Sequence, residues 1–287
     1  MNKKRYMALG IFCILISSLG FALMQLFVRL AGDLPSVQKT FFRNLIATGV
    51  ALIPVLKNRQ RGVALKGSRW LLLLRSIFGT VGIVLNFFAV EHLSLSDASI
   101  LQKLSPFVVI ILSLIFLKEV VKPYQWAAVV LAFIGAIFVI KPGGETFISV
   151  GALAGLCGAV MAGSAYTCLR ALSLRGIRGE FIIFFFSAFS CISLLPFVIL
   201  QFQPMSGMQM IYLLLVGLAA TMGQFGITFA YAFAPASRIS VFEYSQIVFA
   251  ALLGFTVLSQ VPDIYSIIGY VIIISVGIFM MLRGAKD

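Results

Sequence analysis

Ten runs of about 20 mostly apolar residues, each closed by a short polar break, leave this chain only one solvent to fold in, lipid. The runs fall at 7-31, 36-56, 69-90, 95-117, 123-140, 149-170, 179-201, 208-232, 236-257 and 263-282. The breaks carry turn residues: Gly32-Asp33-Leu34-Pro35, the basic loop from Lys57 to Arg69, Lys141-Pro142-Gly143-Gly144, Arg175-Gly176, Pro204 and Pro262-Asp263. With 61% hydrophobic residues, 11% charged residues and a mean hydropathy of +1.08, a 287-residue globule could not hide its apolar surface from water. The expected fold class is an all-α polytopic membrane protein with ten transmembrane helices.

In a soluble chain the formal net charge of +13 would point to a nucleic-acid partner. Here the basic residues sit mainly in the breaks, which is how an orientation signal looks. With the N-terminus inside, sixteen of the 22 lysines and arginines fall on the inner side, from Lys3, Lys4 and Arg5 to Arg283 and Lys286. Only Arg29, Lys39 and Lys141 fall outside, and Arg43, Arg75 and Lys103 lie within spans. Both termini are therefore expected in the cytoplasm, in a bacterial cytoplasmic membrane. The first run is too long for a signal-peptide core and reads as an uncleaved span. Cys13, Cys157, Cys168 and Cys191 lie in apolar stretches without metal-ligand spacing, and no cofactor is called for.

The chain also repeats itself. The stretch from Ser96 to Tyr124, SDASILQKLSPFVVIILSLIFLKEVVKPY, recurs at a shift of 141, carrying Ser96, Ser99, Leu112, Leu117, Val120 and Tyr124 onto Ser237, Ser240, Leu253, Leu258, Val261 and Tyr265. Between 82 and 138 at least twelve of 57 aligned positions are identical, and the same shift relates Gly10 to Gly151 and Arg29 to Arg170. Each unit, 1-141 and 148-287, holds five spans. An odd number sends the second unit into the membrane from the opposite side, so the repeats are inverted about an axis in the membrane plane.

The layout resembles the EamA-type branch of the drug/metabolite transporter superfamily, as do LSPFVVIILSLIFLKE in the fourth span, QWAAVVLAFIGAIFVIKP in the fifth and YSQIVFAALLGFTVLSQVPDIYSIIGYVIIISVGIF over the last two. The resemblance covers nearly the whole chain and implies a ten-helix transporter with a central cavity between the repeats. Family members often carry Gly-Glu after the fourth and ninth spans. This chain has Lys118-Glu119 and Ser259-Gln260, read as structural positions.

Charges inside spans are costly and point to the candidate binding site: Arg43, Arg75, Lys103 and Glu243, with Gln102, Tyr244, Asn86 and Gln224 beside them. At 1.5 Å per residue, Arg43 and Lys103 lie roughly 10 Å below the outer surface, and Arg75 and Glu243 at a similar depth from the inner one. Arg75 and Glu243 are therefore expected to form one electrostatic layer. Arg75, Gly79, Gly82 and Asn86 share one helix face, open either to a packing role or to a cavity-lining one. Gln102 matches Glu243 in the repeat and Lys103 matches Tyr244. Ser99 and Pro106 share a face with Lys103, which directs its ammonium inward, where it can meet an anionic solute. Phe184, Phe185 and Phe186 read as lipid-facing or core, and His92 as part of an outer turn.

The expectation is a secondary transporter working by alternating access on a small metabolite, with an amino acid or other carboxylate-bearing solute favoured because three cations oppose one anion within the spans. The expected partners of the protein are a small-molecule solute and the lipid bilayer, with no nucleic acid, and Glu243 is the only obvious carrier within the spans should a proton be coupled. No nucleotide-binding loop suggests a primary pump. Two rivals stay open. A membrane enzyme acting on a lipid-linked substrate would need a clustered acid/base pair or metal ligands, and a channel a ring of like charges.

Overall fold

The computed structural model describes residues 3–57, 67–92, 101–140, 150–259 and 262–284. Most of the basic loop from Lys57 to Arg69, the 141-149 break, the start of the fourth span with Ser96 and Ser99, and Gln260 lie outside the described residues. The helices are α1 Lys3–Leu30, α2 Ser36–Lys57, α3 Arg69–His92, α4 Ser105–Phe116, α5 Pro123–Ile140, α6 Val150–Leu174, α7 Gly179–Leu200, α8 Gly207–Phe233, α9 Ser245–Leu258 and α10 Ile264–Gly284. Among the described residues, eight helical stretches are long and apolar enough to cross a membrane by length and composition, and α4 and α5 are shorter apolar helices. The protein is an all-α membrane protein of ten transmembrane segments built as two inverted five-helix repeats.

Sequence dictates several helix boundaries directly. Ser206 starts α8 with a capping box: its hydroxyl accepts from the Gln209 backbone N–H at 3.2 Å, and the Gln209 side chain accepts from the Ser206 N–H at 2.9 Å. His92 is the last residue of α3 rather than part of a turn, because its ring reaches back to the Phe88 carbonyl at 2.9 Å and stacks on the Phe88 ring.

Packing follows the repeat symmetry. The first helix of each repeat packs on the third helix of the other, α1 on α8 and α6 on α3, while α2 meets α7 and α5 meets α10. Small residues permit these contacts, since lipid supplies no hydrophobic force between helices and backbones must approach closely. A Cβ at Gly20 would lie 2.6 Å from the Gly223 nitrogen, and Ser17 donates to the Gly223 carbonyl at 2.7 Å.

The fourth and ninth spans depart from the expectation of continuous helices at 95-117 and 236-257. Lys103 and Leu104 form a turn before α4, with Pro106 in the first turn of that helix. In the second repeat a short helical turn, Ala236–Ile239, passes through a 3-10 segment, Ser240–Tyr244, before α9. The breaks occupy matching positions and touch: the Tyr244 hydroxyl donates to the Lys103 carbonyl at 2.8 Å. These two residues are repeat mates, so their contact marks the pseudo-two-fold axis. Broken spans that meet inside the protein leave polar backbone groups where a cavity can use them.

Candidate functional site

A cavity of about 620 Å³ lies between the repeats, in the size range of small-molecule sites. It runs from exposed residues of the α1–α2 loop, Gly32 and Asp33, down to Arg75, Tyr166 and Glu243. Seven of the eight expected site residues line it: Arg43, Arg75, Lys103, Glu243, Gln102, Asn86 and Gln224. Tyr244 does not; it is fully buried as the cross-repeat strut described above.

Arg43 and Arg75 are 9% and 2% exposed. Arg43 donates to the neighbouring Asn44 side chain at 3.2 Å, and Asn44 donates to Ser190 of α7 at 2.8 Å. Arg75 lies over the Phe186 ring, its guanidinium carbon 4.2 Å from the centroid, an attraction that strengthens away from water. Phe186 and Ser190 are one turn apart on α7, so the two anchors lie roughly 6 Å apart along that helix. Neither arginine has an acidic partner among the described residues, and Nε of both is buried without a hydrogen-bond acceptor, as is Nε2 of Gln224. Buried donors normally find an acceptor, so these three unsatisfied groups mark the cavity as the place where one is lacking.

The pairing of Arg75 with Glu243 expected from their depths is not formed. Glu243 turns to α8 instead, where its Oε1 accepts from the Tyr231 hydroxyl at 2.6 Å. Lys103, expected to offer a free ammonium, is held across the repeat boundary: its Nζ donates to Gln246 Oε1 at 2.8 Å and to the Glu243 carbonyl at 3.4 Å. The helix-depth estimate ignored the breaks in spans four and nine, which bring Lys103 and Glu243 together. Phe186 is neither lipid-facing nor plain core, since it lines the cavity beneath Arg75. The stripe Arg75, Gly79, Gly82 and Asn86 does face the cavity, so the cavity-lining reading of that face holds.

Below the cavity, at the end where the breaks are richest in Lys and Arg, the molecule is shut. The Tyr166 and Tyr231 rings stack at 5.7 Å. Arg170, 7% exposed, donates through Nε to Glu119 Oε1 at 2.8 Å and through Nη1 to the Tyr231 and Ala232 carbonyls at 2.8 and 3.3 Å. The other Glu119 oxygen accepts from the Ala236 N–H at 3.0 Å. One ion pair thus binds the end of α4, α6, the end of α8 and the start of span nine. Glu119, read from the sequence as a structural position, makes these contacts through both carboxylate oxygens.

Two inverted repeats around a central cavity that is closed off at one end and reaches exposed loop residues at the other have the architecture of a membrane transporter. Residues 8–141 and again 149–283 match the EamA-like transporter family, and the chain belongs to that family. It is 34% identical to the pseudopaline exporter CntI of Pseudomonas aeruginosa over 92% of this chain and 93% of that one. It is 26% identical to solute carrier family 35 member G1 of Homo sapiens over 96% of this chain and 79% of that one. A solved crystal structure superposes with a TM-score of 0.79 at 18% identity, covering 96% of this chain and 98% of the other, which supports the fold.

Proposed function

We propose that the protein is a secondary transporter that moves a carboxylate-bearing metabolite by alternating access, the repeats 1-141 and 148-287 rocking about the axis at Lys103 and Tyr244. The observation that carries this reading is the pair of buried arginines in the cavity with no acidic partner among the described residues. Uncompensated buried charge is unfavourable, so the resting site attracts an anion, and one end closed by an ion pair fits one of two alternating states. Positive-inside counting places the shut end and both termini in the cytoplasm. Glu243 carries the coupling proton: it faces the cavity with Tyr231, Lys103, Gln246 and Tyr244 around it, and a carboxyl among hydroxyls and one ammonium can exchange a proton without leaving the site.

Proteoliposome uptake tests this reading, using amino acids and simple carboxylates with and without a pH gradient. Saturable uptake that is accelerated by unlabelled solute on the far side is expected, since exchange across an alternating site produces counterflow. Glu243→Gln should abolish the response to the pH gradient while counterflow persists. Non-saturating flux without counterflow would identify a channel and end the carrier reading.

A further inference from the structure

We infer that the natural solute presents two acidic groups to the cavity, one for Arg43 and one for Arg75, so that the carrier selects dianionic over monoanionic carboxylates. This rests on the carrier reading above and sharpens its substrate class.

The argument is a charge balance over named groups. Lys103 and Glu243 both line the cavity as neighbours, and with Glu243 ionised the two charges offset each other. Arg170 is matched by Glu119 outside the cavity. Arg29, Asp33 and Lys39 line the mouth of the cavity, where Arg29 and Asp33 are exposed, Lys39 donates to the Gly32 carbonyl at 2.6 Å, and water screens the charges. The deep remainder is Arg43 and Arg75, two full positive charges, both more than nine-tenths buried. One carboxylate neutralises one of them and leaves the other uncompensated in low dielectric, where the residual field is strongest.

Geometry agrees with two separate groups rather than one shared. Each guanidinium is tethered to its own point on α7, Arg75 on Phe186 and Arg43 through Asn44 on Ser190. The anchors are one turn apart along α7, roughly 6 Å, so a short diacid can give each guanidinium a carboxylate of its own. The orphaned Nε donors belong one to each arginine, and the Gln224 amide adds a third donor to the same cavity.

Calorimetry on the protein in nanodiscs, in chloride-free buffer, decides this. The probes are malonate, succinate, glutarate and adipate, each beside its monoamide, which keeps the shape and removes one charge. At least one diacid should bind tenfold or more tighter than its monoamide. Arg43→Gln and Arg75→Gln should each reduce that ratio to about twofold or less. Arg75→Lys retains the charge without the fork, so the preference should survive with weaker binding, separating charge from misfolding. A monoamide binding as tightly as its diacid would overturn the inference. So would protection by chloride equal to that of the diacids, or binding of monocarboxylate amino acids when no diacid binds. If no carboxylate-bearing solute binds at all, the carrier reading itself fails, a different result from the loss of diacid preference.

Discussion

Gly79 makes room for the site, and its missing carbon can be tested. A Cβ there would collide with Arg75 Nη1 and lie 2.6 Å from the Phe186 ring, so the side chain that holds Arg75 over the ring depends on a hydrogen at this position. Gly79→Ala should push the guanidinium off Phe186 and weaken diacid binding by fivefold or more in the same calorimetry. Gly49→Ala is the control. A Cβ at Gly49 meets nothing within 4 Å, so binding should hold and the helix should gain about 0.5 to 1 kcal/mol. Unchanged binding in Gly79→Ala would show that the cradle is dispensable. At this scale the sequence was informative about charge and silent about aromatic partners. Arg43 and Arg75 stood out because ionised groups in an apolar run require a reason. Phe186 could not stand out, since it sits in a run of three phenylalanines and only the α7–α3 contact distinguishes it from Phe184. Tyr244 misled for the opposite reason: it shares a repeat position with Lys103, but symmetry puts it on the axis, where it meets its mate instead of the cavity.

The elements show where apolar periodicity stops being informative. Spans one to three, five to eight and ten were legible because a run of twenty apolar residues has a single outcome in lipid. Spans four and nine have equally apolar sequences, yet break at Lys103-Leu104 and at Ser240–Tyr244, and Pro106 was the only residue hinting at it. A second feature ties these spans together. Lys118 and Ser259, repeat mates directly after them, both have φ of +54°, the left-handed conformation that side chains resist. A glycine, as in the Gly-Glu pair of the family this chain resembles, would take this conformation freely: the helix ends in a left-handed residue, after which the Glu119 N–H returns to the Ser113 carbonyl at 3.2 Å. Lys118→Gly and Ser259→Gly should each stabilise the protein by about 1 kcal/mol, and the pair should add. Thermal unfolding in detergent measures it. Lys118→Ala removes the charge but keeps the Cβ, so a rise in Tm equal to that of Lys118→Gly would assign the effect to charge and refute the conformational account.

At the scale of the whole molecule, the ion pair of Arg170 with Glu119 is the contact that distinguishes the two ends. Its repeat mates do not reproduce it: Arg29 is exposed on the cavity wall and Glu119 corresponds to the neutral Gln260. A contact present in only one of two alternating states stabilises that state alone, so removing it shifts the equilibrium between states rather than simply loosening the fold. Truncating one partner of such a buried pair costs about 3 to 5 kcal/mol in the state that contains it. Labelling from each side of the membrane reads the shift. The background replaces Cys13, Cys157, Cys168 and Cys191, all half-buried. Gln25→Cys reports the cavity mouth, and Ala236→Cys, fully buried behind the ion pair, reports the shut end. With Glu119 intact, an impermeant maleimide should label Gln25→Cys from outside in whole cells and leave Ala236→Cys almost unlabelled in inverted vesicles. Adding Glu119→Gln should raise labelling at Ala236→Cys by tenfold or more and lower it at Gln25→Cys. Opposite changes at the two ends are the signature of a rocking carrier. If both rates rise, the substitution has only loosened the fold, and if neither changes, the pair does not hold the shut end closed.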